Sequence, residues 1–143
     1  MFDSTFIVRN RADIAYLSSA DGVNLEQEAI DIHSVRELIG EDSIIGLYRD
    51  TREGILRAVK DGADYISVGS ISSTPTEPVT STGLEYAKWV SENICVPVLI
   101  CGEFNTTQCH QLKLAGCTRF MIDKVVLNSS SPKTVTVKYL DVV

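Results

Sequence analysis

The sequence predicts an α/β protein built from repeated β-α units with parallel strands, on two observations. Three times a helix-like segment ends at a small residue and turns at once into an apolar strand: Ser19-Ala20-Asp21-Gly22-Val23, Gly62-Ala63-Asp64-Tyr65-Ile66 and Gly116-Cys117-Thr118-Arg119-Phe120. A Gly just past a helix can take positive φ, which closes the last turn and releases the chain into the next strand. A small residue then leaves room for tight helix-to-sheet packing, and Asp or Thr can bond locally to the turn. Between the joints, short apolar runs alternate with segments of helical spacing, the rhythm of a parallel sheet.

The elements follow in order. Thr5-Phe6-Ile7-Val8 reads as a buried strand, Asp13 to Ser18 as a short helix and Val23 to Leu25 as the second strand. His33 to Ile39 carries Val35, Leu38 and Ile39 at helical spacing and stops at Gly40; Ser43 to Tyr48 is a strand. Thr51 caps a helix that places Glu53 in its first turn, buries Ile55, Leu56 and Val59, and ends at Gly62. Strand Tyr65 to Val68 follows. Ser70 to Ser81, dense in Ser, Thr and Pro, is the one long stretch without periodicity, and such loops often carry function. Leu84 to Asn93 is a helix with Trp89 as packing anchor, Val96 to Cys101 a strand, Thr106 to Leu114 a helix and Phe120 to Ile122 a strand. The tail Thr134 to Leu140 alternates with period two, which predicts an extra C-terminal strand with one solvent face, set off by Ser129 to Pro132.

Size and composition bound the function. A chain of 143 residues is large enough for a sizeable core, and 44% hydrophobic with 22% charged residues is ordinary for a globular protein. A net charge of −6 argues against nucleic acid, which calls for clustered Lys and Arg. The longest apolar stretch, Val96 to Cys101, is far short of a membrane span. No signal-peptide core follows Met1, so a cytoplasmic setting is expected, or an organelle lumen if a transit peptide has been removed. Cys95, Cys101, Cys109 and Cys117 are spaced six, eight and eight residues apart, which matches no Cys-x-x-Cys zinc pattern and predicts free thiols and no metal site.

At Thr74-Pro75-Thr76 the run that begins with Gly62-Ala63-Asp64-Tyr65-Ile66 and continues through Val68-Gly69 resembles the thiamine phosphate synthase family, including its TenI-type relatives. Phe6-Ile7 with Arg11-Ala12-Asp13, Ala20 to Val23 with Leu25 and Gln27-Glu28, Ile44-Ile45-Gly46, and Val96-Pro97-Val98 with Gly102 align with further family segments in order, from about Thr5 to Val126. The resemblance implies a partial TIM-type (β/α) barrel over residues 1–128, of about six parallel strands, with the tail strand in residues 129–143. It begins at the family's third strand, so two β-α units have no counterpart, and two sheet edges are left open.

The resemblance also implies chemistry: joining of a pyrimidine pyrophosphate to a thiazole phosphate, with Mg²⁺ on the pyrophosphate. Most of the family's groups are replaced. Its Asn-Asp becomes Arg9-Asn10, its second metal carboxylate Ala29, a strand-end Ser Tyr48, the Lys after Thr-Pro-Thr Glu77, the second Gly of its phosphate loop Glu103, and the Ser of its last strand loop Lys124. Where TenI-type tautomerases use a His, Asp50 stands nearby. Hard Mg²⁺ sites depend on one or two carboxylates, and neither remains. Thr74, Thr76, Gly102 and Lys124 are the candidates for a residual phosphate site; as Ser/Thr/Pro turn residues, the threonines have a plain structural reading too.

Three readings follow. The preferred one is a degenerate family domain, non-catalytic and cofactor-free, that serves as a binding or assembly subunit, with a small phosphate ester as candidate ligand and a second copy or partner protein covering the sheet edges. The second is a thiamine-pathway transferase or tautomerase completed by a partner or a missing segment. The third is an altered phosphate-ester enzyme using Arg9, Tyr48, Asp50 and Lys124.

Overall fold

Two of the three joints are closed by glycine in the left-handed region, Gly62 at φ +94° and Gly116 at φ +98°. At the first joint Ser19 takes that conformation instead, at φ 51°, and Gly22 has a different task. It lies in the second strand, where a Cβ would fall 2.0 Å from the Ile44 carbonyl oxygen. The joint aspartates bond to the neighbouring strand and not to their own turn: Asp21 accepts the Phe6 N–H at 2.6 Å and Asp64 the Ile45 N–H at 2.7 Å. Each fixes the start of the strand before it, and Asp64 also pairs with Arg36 at 2.8 Å.

The computed structural model describes residues 4–26, 31–69, 71 and 79–142. The chain divides into two compact units, Met1–Ser67 and Val68–Val143. The first holds β1 (Ile7–Arg9), α1 (Ala12–Leu17), β2 (Gly22–Leu25), α2 (Ile32–Ile39), β3 (Ile44–Tyr48), α3 (Arg52–Lys60) and all but the last residue of β4 (Tyr65–Val68). These strands are parallel and neighbour one another in sequence order, with Val8, Val23 and Ile45 in one register row. One sheet face carries Val23, Leu25, Ile45, Leu47 and Ile66, all between 0% and 4% exposed. Against such a layer belong the buried helix residues Ala12, Ala15, Val35, Ile55 and Ala58.

The second unit holds α4 (Ser81–Asn93), β5 (Val98–Cys101), α5 (Thr106–Leu114), β6 (Phe120–Met121), α6 (Lys124–Leu127) and α7 (Pro132–Leu140), with β5 and β6 parallel. Its core includes Ala87, Val90, Ile100, Phe104, Cys109 and Leu112. Side-chain caps set the helix starts: Thr51 on α3, Thr80 on α4, and on α5 a reciprocal capping box of Asn105 and Gln108. Thr80 starts α4 three residues before the expected Leu84. All four cysteines are free: Cys109 and Cys117 are buried, Cys101 is half-buried and Cys95 exposed.

The expected tail strand is a helix. Pro132 opens α7, and the Thr136 hydroxyl donates to the Pro132 carbonyl at 3.0 Å. Val135 and Tyr139 are its half-buried residues, one helical turn apart, while the residues between them are exposed. Tyr139 Oη donates to the Phe104 carbonyl at 2.6 Å and Lys113 Nζ to the Val142 carbonyl at 3.1 Å. The period-two pattern is therefore overridden by an i,i+4 pair with a partner to pack on, and the tail adds no strand to a sheet edge.

Candidate functional site

Arg9, Asn10 and Glu26 meet where β1 and β2 end. Arg9 is the last residue of β1, and its guanidinium pairs with the Glu26 carboxylate. Asn10 sits at φ 60°, a conformation that Asn tolerates better than most residues. From there its N–H donates to the Asn24 carbonyl at 2.9 Å, and its Oδ1 accepts the Glu26 N–H at 2.8 Å. Asn10 thus clamps the two strand ends together. Hydrogen bonds from Arg9, then from Asn10, hold the Glu26 carboxyl below its ordinary pKa.

The sheet face opposite the apolar one is polar, and the sequence reading did not single it out. Successive strand residues point to opposite faces, so Arg9, Asn24, Gly46, Tyr48, Tyr65 and Ser67 share this face. Ser67 Oγ donates to Asn24 Oδ1 at 3.1 Å, reaching from β4 to β2 across β3. Gly46 on β3 permits the arrangement: a Cβ there would lie 2.0 Å from the Tyr65 ring. The signal was available as every second residue of β2, β3 and β4. Tyr48 is half-buried at the end of β3, and Arg49 Nη1 donates to its carbonyl at 2.6 Å. Burial lowers the Arg49 pKa, opposed by the charges of Asp61 and then Asp50.

In the second unit, Gly102, Glu103 and Lys124 come together at the ends of β5 and β6. Lys124 Nζ lies 2.6 Å from Glu103 Oε1, and this bond raises the Lys124 pKa. Asp123 Oδ1 accepts the Lys124 N–H at 2.5 Å, so a second carboxylate faces the start of α6. Gly102 makes room for Phe104, whose ring would lie 2.6 Å from a Cβ at that position. Phe104 packs edge-on against Phe120 with ring centroids 6.4 Å apart, and its carbonyl is the group held by Tyr139. A cavity of about 150 Å³ opens elsewhere, between α4, β5 and the Gly116 joint, and none of the candidate residues lines it.

Ala29, Thr74, Thr76 and Glu77 lie outside the described residues. Among the described residues, the donors present do not fit the Mg²⁺ implied by the family resemblance. Asn10 Oδ1 accepts a backbone N–H, Glu26 is bound by Arg9, and an alanine at position 29 offers no side-chain oxygen. Among the described residues no three His, Cys, Asp or Glu side chains converge as a metal site. Nor, among them, is any helix long and apolar enough to cross a membrane.

Comparison with known proteins places this geometry. A family model described as thiamine monophosphate synthase matches residues 2–123. The chain is 40% identical over 136 residues to a thiamine-phosphate synthase of Prochlorococcus marinus subsp. pastoris, covering 92% of this chain and 38% of that one. It is 36% identical over 125 residues to that of Clostridioides difficile, covering 87% and 60%. The chain thus spans about two fifths of the cyanobacterial relative's length. Among solved structures, thiamine phosphate pyrophosphorylase from Pyrococcus furiosus superposes with a TM-score of 0.85 at 29% identity, over 98% of this chain and 67% of that one. The six-stranded β-α order is therefore that of a partial TIM-type barrel, and the chain belongs to the thiamine monophosphate synthase family.

Proposed function

We propose that this chain is a degenerate thiamine phosphate synthase domain that serves as a binding or assembly subunit and does not carry out the Mg²⁺-dependent transfer. The observation that carries this reading is that the strand-end polar groups bond to one another. Lys124 is neutralised by Glu103, Arg9 by Glu26, and the Asn10 amide oxygen holds a backbone N–H. A phosphate entering beside Gly102 would have to displace the Glu103 carboxylate from Lys124 before the ammonium could bind it. A neutral or weakly polar ligand meets no such barrier.

A second reading, a transferase completed by a further segment, is favoured by the 40% identity to a synthase of which this chain matches 38%. One experiment tests the first reading. The chain is assayed with a pyrimidine pyrophosphate, thiazole phosphate and Mg²⁺, and titrated calorimetrically with thiazole phosphate and thiamine phosphate. No turnover is expected; turnover near ordinary enzyme rates, about 1 s⁻¹ or above, overturns the degenerate reading. Replacing Asn10→Asp and Ala29→Asp together should not restore activity, because Glu103 and Glu77 remain.

A further inference from the structure

The loop that joins β5 to α5, Gly102 to Asn105, is pinned from two helices. The peptide between Phe104 and Asn105 is held at both ends. Its carbonyl accepts the Tyr139 hydroxyl of α7 at 2.6 Å, and its N–H donates to Gln108 Oε1 of α5 at 2.8 Å. Gln108 is itself buried, and so is the Phe104 ring, which lies over Gly102 and edge-on to Phe120. A loop anchored in a close-packed core has little freedom in where it carries its neighbouring residue. Glu103 sits beside these anchors and reaches Lys124 Nζ at 2.6 Å. Lys124 is fixed in turn, because Asp123 accepts its N–H at 2.5 Å at the start of α6. The loop, α6 and α7 thus close one circuit of bonds, wholly within the second unit.

We infer that Glu103 is an autoinhibitory carboxylate, an internal counter-ion that holds the Lys124 ammonium against external oxyanions, and that Tyr139 positions it. A carboxylate and a phosphate oxygen make the same kind of charge-assisted bond to an ammonium. Once the first bond is made, a second anion gains less attraction and also meets the repulsion of the first. Glu103 has the advantage of its tether, which gives it a high effective concentration beside Lys124. That advantage depends on how firmly the loop is held, and here α7 acts through the Tyr139 hydroxyl on the Phe104 carbonyl. Withdrawal of Tyr139 loosens the loop, lets Glu103 leave, and opens Lys124 to a small phosphate. This gate rests on the reading of the strand-end site as one closed to phosphate, but the two fail separately. Turnover in the transferase assay overturns that reading, whereas the gate is decided by binding alone.

The test is a calorimetric titration of the whole chain with inorganic phosphate at pH 7, with the NMR titration of the Lys124 side chain as second readout. Glu103→Gln should bind phosphate at least about tenfold more tightly than the unaltered chain, and the Lys124 pKa should fall. The gain should vanish when Lys124→Gln is added to Glu103→Gln, which assigns it to this ammonium. Tyr139→Phe should move both readouts in the same direction by less, at unchanged circular dichroism. A purely structural role for the hydroxyl would lower stability and move neither. Phosphate affinity unchanged by Glu103→Gln, a gain that survives the double variant, or a Tyr139→Phe chain identical to the unaltered one in both readouts overturns the proposal.

Discussion

The apolar sheet face and the strand ends of the first unit are built on opposite terms. Val23, Leu25, Ile45, Leu47 and Ile66 are sealed to 4% exposure or less and lie in register on adjacent strands. A few residues further along the same strands, Arg9, Asn10 and Glu26 are solvated and bound to each other. Burial makes the first set intolerant of any change in volume, while the second can trade one polar group for another with little effect on folding. This division explains how the family's architecture can be kept whichever polar groups stand at the strand ends. Fold and chemistry are specified by different layers of the same strands.

The sharpest way to break this contrast is at Gly22. A Cβ there would meet the Ile44 carbonyl oxygen at 2.0 Å, and that atom belongs to a paired backbone that cannot rotate away. Gly22→Ala should cost about 3 kcal/mol or more, at the upper end of overpacking effects, read as a fall in the urea midpoint. A loss below about 1 kcal/mol would show that β2 and β3 can separate, and that the apolar layer is looser than its burial implies. Next in size is Asp64→Ala. It removes the acceptor for the Ile45 N–H and the partner of Arg36, and should cost about 2 kcal/mol because a charge-assisted bond to a part-buried donor is lost.

These two residues also show what a sequence can reveal and what it conceals. Gly22 and Asp64 were legible as members of a recurring joint, because a joint is local in sequence. Helix α3 was legible for the same reason: Thr51 at its start and Gly62 at its end announce it. The partners of Asp21 and Asp64 were not, since each bonds to a strand one β-α unit earlier. Arg9 with Glu26, and Glu103 with Lys124, are likewise set by where strand ends meet in space. The tail misled for another reason. In Thr134 to Leu140, Val135, Val137 and Tyr139 alternate as a strand would, while Val135 and Tyr139 also sit one helical turn apart. So short a run carries both periods, and the Phe104 carbonyl, distant in sequence, decides between them.

Tyr139 therefore gives an intermediate test, in the second unit. Tyr139→Phe keeps the ring and leaves the Phe104 carbonyl without its donor, so about 1 kcal/mol should be lost. The loss should concentrate in α7, whose exposed Val137 and Leu140 contribute little burial. Faster hydrogen exchange of α7 amides, with α5 unchanged, is the expected pattern. Equal acceleration in both helices would mean that α7 is part of the core and not an attachment to it.

The smallest effect is expected at the surface pair that opens α1, and its value lies in separating electrostatics from stability. Arg11 Nε and Nη2 donate to Asp13 Oδ1 and Oδ2 at 2.8 and 2.5 Å, which lowers the Asp13 carboxyl to about 2. A carboxyl whose pKa falls on folding contributes its stabilisation above the ordinary carboxylate range, and loses it as pH drops through the folded value. The contribution is thus complete at neutral pH and disappears between about 4 and 2. Arg11→Gln should return the midpoint of Asp13 to about 4, followed by NMR titration of its carboxyl carbon. Because both side chains are more than half exposed, the urea midpoint at pH 7 should barely move. A large pKa change with almost no stability change would place Asp13 with the strand-end groups, whose polar bonds leave the fold to the buried layer. An ordinary midpoint in the unaltered chain would show instead that the two-bond pairing is not held in solution.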